Sequence, residues 1–323
     1  MILSLASAIA WPAAFRRGIA SAALLIALAT AACSKAESAP PVTILGGPGR
    51  VPGRFVTPRA VAVRDGKIAV ADRSGRLQVF SKGALERELI VVDGKAGFPL
   101  GLFWEKDGGL VLVDTHNAKV RFLDRELIDR NAIATFGDDG TPACPQRAVR
   151  DAQGRLYLTE YGLGSANRVR VFDPDGRQVL SFGGFGNEAG QFLRPIGIAV
   201  VGEEIFVADV TDRIQVFATT DGRYLRVFGR PGRGPGEIRY PYGLCAVGQT
   251  LYVAEFGNHR VQRFTLAGAS TGVFGGPGQE PGKFNSPWDI AADEAGLLYV
   301  ADSGNHRIVI FDPGAVTWKD GGS

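Results

Sequence analysis

Histidines, cysteines and recurrent acid–base pairs are the residues with which this chain could do chemistry, and most of them follow a period. The histidines are His116, His259 and His306. Three imidazoles are enough for a catalytic zinc site, which keeps a fourth position open for water. Two of them, however, stand directly before Arg260 and Arg307 in nearly identical phrases, and His116 falls in an equivalent loop. Side chains repeated in this way are first explained by what the repeats share. The carboxylates recur likewise, each with a base four or five positions later: Asp72 with Arg76, Asp114 with Lys119, Asp209 with Arg213, Glu255 with Arg260 and Asp302 with Arg307. A ring of catalytic carboxylates is one reading. The reading taken here is structural, each carboxylate satisfying loop amides and its local cation.

Cys144 and Cys245 fall in non-adjacent units, so a disulfide between them is not expected. No Cys-x-x-Cys-His segment is present for covalent haem. The Gly-rich stretches at 183–190 and 229–236 lack the Gly-Lys-Ser/Thr ending of a phosphate loop. They read as tight turns.

These residues must be positioned by a repeat. Gly190, Phe192 and Pro195 recur as Gly236, Ile238 and Pro241, and again as Gly282, Phe284 and Pro287, at intervals of 46 residues. Gly53, Phe55 and Pro58 form another copy. Each Pro precedes a short apolar strand, a turn and a second strand that ends in an acid: Asp72, Asp114, Glu160, Asp209, Glu255 and Asp302. An alternating strand follows, then a fourth that ends in Phe-Gly, as at Phe136, Phe182, Phe228 and Phe274. Six such units predict an all-β fold, a six-bladed β-propeller with four antiparallel strands per blade. The sixth unit lacks its Phe-Gly strand. The segment 42–49 matches 271–278, so residues 42–46 are expected to supply the outer strand of the last blade. Composition agrees, with 44 Gly, 18 Pro and one Met marking a turn-rich β protein.

The phrases at 253–261 and 300–308, with Asn258-His259-Arg260 and Asn305-His306-Arg307, resemble the NHL repeat. The resemblance spans residues 42–314. It implies a propeller, but not one function, since such propellers include binding scaffolds, receptor sensor domains, RNA-binding modules and a lyase. The related amidating lyase has a His-lined channel metal. Here the positions after each Pro, where such a His is expected, hold residues such as Tyr242 and Trp288, so no metal ligands and no catalytic residues are assigned.

Residues that differ between blades are the informative ones. Arg59, Tyr242 and Trp288 follow the repeated Pro, and Arg194 and Tyr240 precede it, near one mouth of the channel. Arg147 and Asp289 replace the small residue found two positions after Pro in the other blades, and they do so in opposite blades. An aromatic sector ringed by Arg59, Arg147 and Arg194 is what a protein or small ligand needs as an anchor.

The first 32 residues read as a secretory signal, with Arg16-Arg17 ahead of an apolar run that ends before Cys33. Thr30-Ala31-Ala32-Cys33 resembles a bacterial lipobox, with Thr30 where Leu is usual. Cys33 is therefore expected to be lipidated, residues 33–41 to form a tether, and residues 42–323 the propeller. Ser34 rather than Asp after that Cys points to the outer membrane, by resemblance to lipoprotein sorting. Two of the positive charges in the formal +3 lie in the signal, leaving about +1, which does not favour nucleic acid. The expected protein is a non-enzymatic, monomeric binding scaffold at the bacterial envelope, with no cofactor assigned. Two alternatives stay open: a propeller hydrolase or lyase with a channel metal, and an accessory subunit of an envelope electron-transfer or export complex.

Overall fold

Each repeat folds into one four-stranded antiparallel sheet, and six sheets make a ring. The computed structural model describes residues 41–92, 97–137, 140–162 and 166–320. Cys33 and the expected signal lie outside the described residues.

The first strand, β1 (Val42–Gly46), belongs to the last blade. Blade 1 holds β2 (Pro58–Arg64), β3 (Lys67–Asp72), β4 (Arg76–Ser81) and β5 (Ala84–Ile90). Blade 2 holds β6 (Gly101–Trp104), β7 (Leu110–Asp114), β8 (Lys119–Leu123) and β9 (Asp129–Ala134). Blade 3 holds β10 (Cys144–Arg150), β11 (Leu156–Tyr161), β12 (Arg168–Phe172) and β13 (Gln178–Gly183). Blade 4 holds β14 (Pro195–Val201), β15 (Glu204–Asp209), β16 (Arg213–Ala218) and β17 (Tyr224–Phe228). Blade 5 holds β18 (Pro241–Val247), β19 (Thr250–Glu255), β20 (Arg260–Thr265) and β21 (Ser270–Gly275). Blade 6 holds β22 (Pro287–Ala292), β23 (Leu298–Asp302), β24 (Arg307–Phe311) and, at its outer edge, β1.

The expected closure is therefore present: Val42 pairs with Phe311, Ile44 with Val309 and Gly46 with Arg307. The last blade is completed by the start of the propeller chain, which ties the two ends of the ring together. A second tie lies beside it. Trp318 packs on Tyr252, Phe274 and Phe311, and Lys319 exchanges backbone hydrogen bonds with Val273 at the edge of β21.

The apolar core is divided into sectors between neighbouring blades. Alternation puts one face of each sheet against the next. Phe206, Ile214 and Val216 of blade 4 meet Leu251, Val253 and Phe264 of blade 5, and Val61, Val70 and Phe80 of blade 1 meet Tyr299 and Ile308 of blade 6. The repeated Phe closes three of these sectors from the loop side: Phe55, Phe192 and Phe284 have no exposed surface. Burying such a ring contributes roughly 1.5–3 kcal/mol. The preceding Phe-Gly glycine makes room for it. A Cβ on Gly275, at φ +103°, would lie 2.4 Å from the Phe284 ring.

The recurrent acids hold this frame together. Arg76 Nη2 lies 2.8 Å from Asp72, Arg260 Nε 2.9 Å from Glu255 and Arg307 Nε 2.7 Å from Asp302. The same carboxylates accept from the amides of Val56, Arg239 and Asn285 in the loops that lead to the inner strands. Blade 2 differs from the sequence expectation, because Asp114 takes Asn117 and Arg121 rather than Lys119. Two of the histidines join blades as well, while His116 stays within blade 2, against Phe98. His259 Nδ1 accepts from the Ser286 amide of blade 6 at 2.9 Å, and His306 Nδ1 from the Thr57 amide of blade 1 at 3.0 Å. Asp212 fills this role between blades 4 and 5, accepting from Tyr240.

Candidate functional site at the axial mouth

The inner strands begin irregularly, and this irregularity builds the site. In five blades the register shifts just after the repeated Pro, between Pro58 and Ala60, Pro145 and Arg147, Pro195 and Ile198, Pro241 and Gly243, and Pro287 and Asp289. A bulge leaves one residue unpaired and turns its side chain away from the ladder. The residues passed over include Arg59, Gln146, Tyr242 and Trp288, so one device repeated around the ring delivers different side chains to one mouth.

Below them the axis is closed. Where other blades carry Ala60, Gly101, Gly197 and Gly243, blades 3 and 6 carry Arg147 and Asp289. Their side chains meet, Nη2 to Oδ1, at 3.2 Å, each 8 % exposed. Arg147 also donates to the carbonyls of Gln146, Arg59 and Trp288, and Asp289 accepts from the Val61 amide. The pair thus satisfies inner-edge groups of blades 1, 3 and 6 as well as itself. Burial disfavours both charges, lowering the Arg147 pKa and raising that of Asp289, and each partner opposes the other's shift.

Above this floor the aromatic side chains form a continuous array. Tyr242 lies 4.3 Å from Trp288 and 5.1 Å from Phe256, and Tyr240 lies 6.4 Å from Tyr242. The Arg59 guanidinium sits 3.5 Å over the Trp288 ring and 5.6 Å from Phe98. Arg194 sits 4.5 Å over Tyr161. Burial, together with repulsion from Arg73 and Arg147, lowers the Arg59 pKa to about 10. Burial raises the Tyr242 pKa, and the charges of Arg194 and Arg59 pull it back.

The structure places the seven candidate binding residues in two groups. Arg59, Tyr240, Tyr242 and Trp288 share one array, Arg194 stands at another part of the same mouth, and Arg147 and Asp289 form the floor. Sequence reasoning missed Phe256 and Tyr161. Both directly follow the recurrent acid, where the other blades have Arg73, Thr115, Val210 and Ser303. The blade-to-blade comparison that found Trp288 would have found them at that position.

The opposite side of the floor is a cavity of about 380 Å³, walled by the inner strands and reaching Trp104. Cys245 lines it, with its thiol pKa pushed up by burial, and neither Cys144 nor Cys245 is in a disulfide. A channel metal does not fit these residues. The only acid among them, Asp289, is held by Arg147, and among the described residues no group of three or more His, Cys, Asp or Glu side chains could hold an ion. Grooves near Arg130 and Arg150 carry charge too, but there it is matched, by Asp107 at 3.0 Å and Glu105 at 2.9 Å.

A ring of six four-stranded blades around a sealed axis defines the chain as a six-bladed β-propeller. Residues 239–264 and 284–311 match the NHL repeat. Among solved structures the chain is similar to a catalytically inactive virginiamycin B lyase from Staphylococcus aureus with quinupristin: 17 % identity, 86 % of this chain, 87 % of that one, TM-score 0.61. It is also similar to a gluconolactonase from Xanthomonas campestris, at 14 % identity over 80 % of this chain and 86 % of that one, TM-score 0.61. A streptogramin B lyase matches at 12 % identity over 83 % and 97 %, TM-score 0.56. At these identities the likeness is one of fold. No curated protein sequence matches the chain.

Proposed function

We propose that this protein is a non-enzymatic binding scaffold whose working surface is the axial mouth of the propeller, held at a bacterial envelope membrane by a lipid on Cys33. One observation carries the reading: Tyr240, Tyr242, Phe256 and Trp288 form an adjoining aromatic array with Arg59 stacked on it, directly above an axis sealed by Arg147 and Asp289. Aromatic and Arg side chains at the centre of a surface are the anchors that dominate recognition energy. A sealed axis favours binding over passage or channel chemistry. The hydrolase or lyase reading has only the fold likeness behind it, because the acids and histidines around the blades are spent on holding loops and neighbouring blades.

The test uses a Tyr242→Ala/Trp288→Ala double variant of the full chain. Crosslinking in envelope preparations should capture a partner or ligand with the parent protein and lose it with the variant, at an unchanged melting temperature. Retained capture overturns the assignment of this face. Mass spectrometry of the mature N-terminus tests the anchor: a diacylglyceryl adduct on Cys33 is expected, and an unmodified Cys33 overturns it.

A further inference from the structure

The mouth differs from the rest of the molecule in how it treats positive charge. Elsewhere the buried arginines are neutralised within their own blade: Arg76 by Asp72, Arg260 by Glu255, Arg307 by Asp302. Arg59 has no hydrogen-bond acceptor or carboxylate among the described residues, and its Nε and Nη1 are shielded from solvent without a partner. Arg194 Nε is in the same state, and its Nη2 reaches Gln146 Oε1 at 3.5 Å, too long for a strong bond. The carboxylates around the mouth are already engaged. Asp289 holds Arg147, Asp209 holds Arg213 and the Leu193 and Arg194 amides, and Asp212 accepts from Tyr240.

Leaving guanidinium donors desolvated and unpaired is costly, and stacking on an aromatic ring offsets only part of that cost. The two arginines come from blades 1 and 4, on opposite sides of the ring, yet both act on the Tyr242 hydroxyl. Burial is the main cause of the lowered Arg59 pKa, and the charges of Arg73 and Arg147 add to it.

We propose that the mouth takes a flat organic anion, an aromatic ring bearing a carboxylate or phosphate, with the anionic group between Arg59 and Arg194 and the ring against Trp288 and Tyr242. The anion supplies the acceptors that the chain withholds, and charge-assisted bonds to guanidinium are the strongest available for that purpose. The rings supply a planar, apolar surface for its body. This inference rests on the axial mouth being the binding face.

Titration calorimetry of the full chain with 2-naphthoate, 2-naphthyl phosphate and the neutral 2-naphthamide tests it. At least one anion should bind about tenfold or more tightly than the amide, and Arg59→Gln and Arg194→Gln should each weaken it about tenfold, the loss of one charge-assisted bond. The tighter of the two anions tells a carboxylate ligand from a phosphate ligand. Equal affinity for acid and amide, no loss in either Arg variant, or no binding of any naphthyl probe overturns the anion. If the Arg variants bind normally while Tyr242→Ala/Trp288→Ala does not, the face stands and only the ligand class falls. If binding survives that double variant too, the face falls with it.

Discussion

Arg147 of blade 3 and Asp289 of blade 6 meet across the propeller axis at 3.2 Å, the one place where an inner-strand ion pair replaces the small residues of the other blades. Small residues are needed there because the strands crowd: a Cβ on Gly243 would lie 2.7 Å from the Ile290 nitrogen, and one on Gly197 2.8 Å from the Tyr242 oxygen. The pair fills the axis and caps inner-edge groups that would otherwise lack partners.

Breaking it from one side should be severe. Arg147→Met leaves a buried, unpaired carboxylate and should cost about 3–5 kcal/mol in urea unfolding at neutral pH, while Arg147→Met/Asp289→Leu should regain only part of that, because the Gln146, Arg59 and Trp288 carbonyls and the Val61 amide lose their partners. The single variant should also be pH-dependent. Burial already raises the Asp289 pKa above its ordinary 3.8, and losing Arg147 raises it further. Burying the protonated form carries no charge penalty, so the deficit should fall below about pH 4 to the part due to the lost Arg147 hydrogen bonds and grow as pH rises towards the folded-state pKa. A deficit independent of pH would show that Asp289 is not the group responsible.

Ring closure through β1 should be worth a large share of the cooperativity. Deleting residues 34–50 removes the pairing of residues 42–46 with β24 and exposes an apolar edge in blade 6. Calorimetry should show a lower melting temperature and a broadened transition. An unchanged curve would mean that the remaining contacts, including the Trp318 clasp, are sufficient.

His306 should matter to stability through Nδ1. His306→Ala removes the acceptor for the Thr57 amide and places Ala at φ +56°, together costing about 1–3 kcal/mol by chemical denaturation. Asn tolerates that backbone conformation and can present its Oδ1 to the same amide, so His306→Asn should regain much of the loss. Equal loss in both variants would place the contribution elsewhere on the ring.

Gly275→Ala should destabilise by about 2–4 kcal/mol, combining strain at φ +103° with displacement of the Phe284 ring. Thermal unfolding followed by circular dichroism measures this. Gly53→Ala is the control: its φ is +80° but nothing stands within 4 Å of the added carbon, so it should show the backbone strain alone.

Sequence by itself determined the ring. The 46-residue recurrence of Gly, Phe or Ile, and Pro, the six acid-terminated strands and the match between 42–49 and 271–278 specify blade number, strand order and closure. Such features repeat because every blade must solve the same local packing problem. The acids and histidines were legible as structural for the same reason, although Lys119 proved not to be the partner of Asp114. The mouth was legible only as a set of positions that vary between blades, which picked out Arg59, Tyr242 and Trp288 but passed over Phe256 and Tyr161. Tertiary structure alone decided that Arg147 and Asp289 satisfy each other while Arg59 and Arg194 stand without carboxylates among the described residues. Both outcomes depend on distances across the axis between blades far apart in the chain. Local periodicity fixes each blade, but charge pairing across the axis is set by how six blades converge.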